Sequence, residues 1–389
     1  GTNAGNSSNW GTNAERNTLF GYNVGRSITT GDDNASIGHN ALYNTTTGFS
    51  NTAIGKSALF ANTTGYDNVA IGRDALVAHT TGDTNVAVGS YSLKENTTGT
   101  YNVALGGYSL RENTTGTRNI AIGVFSLDDA TTASDNVAVG YRAGWKITTA
   151  PYNAIVGVDS LRTSTTGGYN ATLGYASLYS NTTGANNVAV GGYSLYTNTT
   201  GEKNTAVGAN ALYTNTTGIE NTAVGFWALR YHTSGHYNTA IGFKALEDCT
   251  TGYQNVAVGH EAGSGITTGY HNVTVGRVSG RSITTGNTNT TLGYNTGNEN
   301  VTGSNNTCVG HAANTSSSSV SNEITLGNTS VTSFRIPGVN FDLKDTTATE
   351  DYVLTVDANG KCGWEAAAGG TSEGQIYVNA KAENGNADS

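Results

Sequence analysis

The chain has no methionine and only three cysteines, Cys249, Cys308 and Cys362, which are far apart and odd in number. A disulfide framework needs an even, closely spaced set, so stability must come from packing instead. Charge is also scarce: Asp, Glu, Lys and Arg make up 12% of 389 residues, with a net charge of −9 and no Lys/Arg cluster. Nucleic acid and anionic membrane are poor partners for such a surface. No apolar run reaches the length of a membrane-spanning helix, and no secretory-signal pattern is present. The missing methionine and an opening in mid-pattern at Gly1-Thr2-Asn3 read as a mature or partial chain whose N-terminal anchor lies elsewhere.

What the chain does have is a beat. Asparagine recurs every 17 residues from Asn17, Asn34 and Asn51 to Asn306, with no insertion or deletion, and a glycine follows four places after each. Gly327 keeps the beat once more. A fixed period of this length marks a solenoid, in which each repeat packs only on its neighbours. With the asparagine as position 0, the unit reads N-[TV]-A-[VI]-G-x-x-[AS]-L-x-x-N-T-T-G-x-x, as in Asn204 to Gly218.

Positions 1 to 3 alternate a β-branched residue, a small one and an aliphatic one, which predicts a three-residue strand. A helix is excluded by the period and by the Gly-rich, β-branched unit. The expectation is that position 3 (Ile54, Ile71, Val88) builds an apolar ladder inside the coil. Position 2 (Ala53, Ala70, Ala87) then faces outward, small enough for close approach by another chain. Glycines at positions 4 and 14 are expected to supply positive-φ corners, two per flattened coil. The asparagine column reads as a ladder of amides bonded to one another and to corner backbone.

One covariation tests this reading from inside the sequence. Twelve repeats carry Leu at position 8, whereas Gly25, Gly144, Gly263 and Gly280 replace it and are joined by Ile28, Ile147, Ile266 and Ile283 at position 11. The apolar volume moves rather than vanishes. Gly297 breaks the rule, with Asn300 at position 11, and a loosened coil is expected there.

The run Asn85-Val-Ala-Val-Gly89, repeated at Asn255 to Gly259, resembles the core repeat of trimeric autotransporter adhesin heads over residues 17–327, although the unit here is longer. That resemblance implies a left-handed parallel β-roll and a homotrimer with small residues at the three-fold contact. The segments Asn322 to Pro337 and Tyr352 to Gly360 look like the distal parts of bacteriophage tail fibres. Many such fibres are trimerised by a C-terminal intramolecular chaperone that cuts itself off after a serine, and the ending Asn386-Ala-Asp-Ser389 is similar to that point. The expected fold is therefore all-β: an irregular lead-in at 1–16, a homotrimeric parallel β-solenoid of 17-residue coils at 17–327, and a β-rich tip at 328–389. The implied role is a virus-tail fibre, outside the cell, bound to other virion tail proteins at its N-terminal end and to a host glycan or protein receptor. Alternatives are a bacterial adhesin head and an ice-binding solenoid.

No catalytic, cofactor or metal motif is apparent. Columns 17 residues apart are the real neighbours of a solenoid, and they bring a few chemical candidates together. His232 and Cys249 share position 11, two ligands without a third, which reads as a packed pair rather than a metal site. Glu95 and Glu112 share position 10 beside Lys94 and Arg111, which reads as a salt-bridged surface rather than a glycosidase pair. Tyr179, Tyr196 and Tyr213 line position 9, as Tyr43 and Phe60 do earlier, forming either a platform for sugars or plain ladder packing. The Asn-Thr-Thr corners at Asn62, Asn96, Asn113, Asn181, Asn198 and Asn215 match the glycosylation acceptor pattern through the repeat alone, and their threonines sit at a corner rather than on an ice-binding flat. In the tip, Arg335, Trp364 and Tyr377 are the candidate receptor contacts, with Tyr179, Tyr196 and Tyr213 as the candidates on the shaft.

Overall fold

A computed structural model describes residues 14–333 and, as backbone alone, the strands Tyr352–Val356 and Cys362–Ala366. Among the described residues the chain is all β and turn, with no helix. It divides into two compact units, Gly1–Val331 and Thr332–Ser389. The first is a parallel β-solenoid of 17-residue coils. Its strands β1 (Thr18–Phe20) to β19 (Ile324–Leu326) form one 19-stranded sheet, one strand per coil. Each pairs in parallel with the next in unbroken register, from Thr18↔Ala35 through Val188↔Thr205 to Thr307↔Ile324. In the second unit, β20 (Tyr352–Val356) pairs antiparallel with β21 (Cys362–Ala366). At the usual strand spacing of ~4.8 Å, 18 turns advance the solenoid by roughly 85–90 Å.

The strand is inverted relative to the sequence expectation. Position 2 lies inside, with Ala53, Ala70, Ala87 and Ala189 fully buried, while positions 1 and 3 point out. The physical reason is the period of two. Asparagine at position 0 is buried, so position 2 shares its side and the β-branched residues at 1 and 3 take the other. Alanine suits the inside because Leu at position 8 enters from the opposite wall. Where that Leu is glycine, an added Cβ would touch the side chain at position 2 of the same or the next coil: Leu19 at Gly25, Ile155 at Gly144, Thr291 at Gly297.

Leu at position 8 carries a local strain. Leu42, Leu93 and Leu195 have φ of 51°, 48° and 51°, in the left-handed region that disfavours a bulky residue by roughly 1–2 kcal/mol. Burying the side chain gains about 1.5–3 kcal/mol, so burial wins. Gly25, Gly144, Gly263 and Gly280 sit in the same backbone region at no such cost, and the ends of Ile28, Ile147, Ile266 and Ile283 swing into the space left by the missing leucine. The coil at Gly297 loosens in part: the amides of Glu299 and Asn300 lack the backbone bonds that Asn44 and Asn198 make at the same positions. The Gly297 amide still donates to Ala313 at 2.8 Å, and Thr291 at position 2 fills the gap.

The two glycine columns differ in their reason. At position 4, φ is about 120–150° from Gly21 to Gly310, and a Cβ on Gly55 would lie 2.4 Å from the Gly72 carbonyl of the next coil. At position 14 φ is not positive, contrary to expectation. Smallness is what matters there, and Ala133 and Ala150 serve in two coils. The left-handed corners fall instead on positions 6, 8 and 16, as at Asn40, Leu42 and Ser50.

The asparagine ladder is completely bonded. Asn85 Nδ2 donates to Asn68 Oδ1 at 3.0 Å and to the Gly99 carbonyl at 2.9 Å, and Asn68 Oδ1 also accepts the Asn85 backbone amide at 3.0 Å. This pattern repeats along the column, so a buried amide that would otherwise be expensive becomes a cross-link between coils. A second column at position 11 works in short runs. Asn215 donates to Asn198, and Asn198 to Asn181. The last Oδ1 of each run, on Asn62, Asn113, Asn215 and Asn300, has no donor because the next coil lacks the amide.

Candidate recognition surfaces

Two surfaces of the first unit face outward with distinct chemistry. On the strand face, positions 1 and 3 form two parallel rows of Val, Ile, Leu and Thr. Ile54 is 37% exposed, Leu173 52% and Leu292 48%. Nineteen strands of three residues span a strip of roughly 900 Å², apolar in every coil at position 3 and threonine in seven coils at position 1. The threonines at position 1 (Thr52, Thr205, Thr222, Thr239) also point out here.

The opposite, turn face (positions 5–10) is varied, with aromatic rings under cations. Arg73 lies 4.5 Å over the Tyr91 ring and Arg230 4.1 Å over Trp227, while Lys146 lies 4.2 Å over Trp145. The Tyr179–Tyr196–Tyr213 ladder is on this face. Its rings stack at 5.1 and 5.3 Å with interplanar angles of 24° and 5°. Both broad faces of Tyr196 are therefore occupied, and the Arg162 guanidinium lies 5.2 Å over the Tyr179 ring and donates to its hydroxyl. Tyr196 thus presents its edge and hydroxyl rather than a broad face. Burial and the neighbouring phenols push the Tyr196 hydroxyl pKa up. Tyr43 and Phe60 stack in the same way at 5.1 Å.

Tyr193, at position 6, was not among the sequence candidates, yet it joins Tyr175 and the ladder into one cluster. The available signal was tyrosine at positions 5, 6 and 9 of successive coils. Of the tip candidates, Arg335 and Tyr377 lie outside the described residues, and Trp364 falls in β21, where only backbone is described.

The remaining pairs take structural roles. His232 Nε2 faces the Gly235 carbonyl at 2.8 Å and Nδ1 faces the Cys249 carbonyl at 3.2 Å. Burial lowers the His232 pKa and pushes the Cys249 thiol up to about 12. No group of three His, Cys, Asp or Glu is placed to hold a metal among the described residues. Glu95 is paired with Lys94, and Glu112 with Arg111 at 2.9 Å, while Arg111 also reaches Asp128 at 3.2 Å. Burial raises the Asp128 carboxyl pKa, opposed by the Trp145 indole and Arg111. The six acceptor-like asparagines of the Asn-Thr-Thr corners are fully buried, out of reach of a glycosylating enzyme in the folded chain. The first threonine of each corner spends its hydroxyl on the next coil, as Thr63 does on the Thr80 carbonyl at 3.0 Å.

No protein family matches the chain, and no curated protein or solved structure matches it.

Proposed function

We propose that the chain is a structural and host-recognition fibre of a virus tail, assembled as a homotrimer. Its solenoid is the shaft, and residues 328–389 form a receptor-binding tip. The observation that carries this reading is the apolar strand face, continuous over all nineteen strands. A strip so long, narrow and uniform suits a partner with the same repeat in the same register, which another copy of the chain supplies. The contact would then be made by the β-branched rows at positions 1 and 3, not by the alanine column. The reading as a tail fibre draws on the resemblance of residues 322–337, 352–360 and 386–389 to fibre ends. In this role the fibre lies outside the cell, carries no enzymatic step, and joins other tail proteins through its N-terminal end.

Light scattering tests the assembly: a trimer scatters at three times the chain mass of 40.0 kDa, and a monomer ends the proposal. The reading frame beyond Ser389 tests the biological setting. An intramolecular chaperone there supports the fibre, and a membrane β-barrel anchor supports a bacterial adhesin head built on the same contact. The flat strand face with outward Thr52, Thr205, Thr222 and Thr239 also favours an ice-binding reading. Inhibition of ice recrystallisation by the purified chain would replace the fibre with that one.

A further inference from the structure

The tyrosine cluster contains one ring that does not stack. Tyr193 crosses Tyr175, Tyr196 and Tyr213 at 78°, 69° and 66°, with centroids 5.2, 5.5 and 6.5 Å apart. The faces of Tyr196 are taken by Tyr179 and Tyr213, so Tyr193 meets Tyr196 at its edge. That edge points at one broad face of Tyr193, in the favoured T-shaped arrangement. Tyr193 keeps 38% of its surface exposed. Its three neighbouring rings hold it in place, so binding against it loses little side-chain freedom.

Next to this ring the surface is cut away. Gly192 occupies position 5, and a Cβ built on it finds nothing nearer than the Tyr175 carbonyl at 4.0 Å. Tyr175 stands at the same position one coil earlier, 52% exposed, and Ala209 one coil later. Elsewhere the column is filled, as where Phe226 stacks on Phe243 at 5.9 Å. Gly107 is similarly open, but the rings near it, Tyr91, Tyr108 and Phe125, follow one another in a column at 5.1 Å spacing, and the ring set across that column, Tyr141, meets it a coil further on, at Phe125, 6.3 Å away.

We propose that the notch over Gly192 is a glycan-binding site: a pyranose lays its apolar C–H face against the exposed part of the Tyr193 ring, between the Tyr175 ring and Ala209. This rests on the recognition reading above and moves one contact from the tip to the shaft. A pyranose has one apolar face and a rim of hydroxyls, which suits an exposed aromatic ring bordered by phenol groups. A nucleobase could also stack there, but a chain of net charge −9 repels its phosphates.

The test is binding of the full-length assembly to an array of immobilised pyranose oligosaccharides, bacterial and animal. Binding should fall about tenfold in Tyr193→Ala and in Gly192→Phe, the latter filling the notch with a residue that the same coil position already accepts at Phe226. Tyr193→Phe should keep most of the affinity, and Tyr22→Ala, a distant exposed ring of the turn face, should keep all of it. Thermal melting of each variant separates loss of the site from loss of the fold. Unchanged binding in both Tyr193→Ala and Gly192→Phe overturns the site, but leaves host recognition standing with its contact elsewhere. No binding to any arrayed sugar also overturns the site, and attachment of the assembly to bacterial cells then decides the recognition reading separately.

Discussion

The strand face and the turn face belong to the same coils but are built differently. The strand face repeats two aliphatic or threonine columns with little change from β1 to β19, whereas the turn face changes residue type from coil to coil. A side chain on the strand face stands in a row that runs the length of all nineteen strands. A side chain at positions 5, 6, 9 or 10 touches only the coils above and below it. On the proposed reading uniformity serves assembly, while variability goes with local contacts such as the Tyr193 cluster.

The sharpest way to break this contrast is to place charge on the uniform face. Leu173→Glu combined with Ile241→Glu should leave the coil itself intact, because both side chains point outward at 52% and 40% exposure. In a trimer the same changes bury unpaired carboxylates, at about 3–5 kcal/mol each. Light scattering should show the mass fall from three chains to one. A glutamate at Ser90 on the turn face should change nothing, and an equal response to both would erase the distinction between the faces.

Next in size is the interior that both faces cover. Leu42→Gly should destabilise by about 2–5 kcal/mol, read by thermal or denaturant unfolding. Adding Thr45→Ile copies the neighbouring coil with Gly25 and Ile28, and should recover more than half of the loss. If the double variant is no more stable than the single one, the interpretation of the position 8 and position 11 exchange is wrong.

A smaller effect is expected at the paired histidines. His79 Nδ1 accepts from Asn96 at 3.0 Å while Nε2 donates to Gly82 at 2.6 Å, a fully bonded neutral ring. His232 instead has a carbonyl at each nitrogen, so its neutral form leaves one lone pair facing another. Cys249→Asn should give His232 the donor that Asn96 gives His79, and should stabilise by about 1 kcal/mol.

The smallest expected effect is a pH dependence. Burial holds both histidines below their ordinary value of 6.5. From 6.5 down to the lowered values, the unfolded chain binds protons that the folded chain does not, so stability falls as pH drops through that window. His79→Asn, the usual residue at position 11, should flatten the slope of melting temperature between pH 7 and 5.

Period, register and the all-β class were legible in the sequence, because an error-free 17-residue beat leaves the chain one way to stack. The asparagine column at position 0 was legible too, since an amide recurring at strand spacing has an obvious partner, whereas the second ladder at position 11 was not read. The volume exchange between Leu42-type and Gly25-type coils could be read from covariation alone. The side of the strand that faces inward could not be read from positions 1 to 3, because alternation is symmetric under inversion. The decision came from the opposite wall, where Leu at position 8 needs a small residue across from it, and from the buried asparagine at position 0 that shares the side of position 2. Stacking within a column was also foreseeable at Tyr179, Tyr196 and Tyr213, but the ring that crosses them was not. Contact between Tyr193 and Tyr196 depends on the left-handed turns at positions 6 and 8, which fold one column of side chains against another. Tertiary structure alone decides which columns meet, because backbone corners, rather than sequence spacing, set the distance between them.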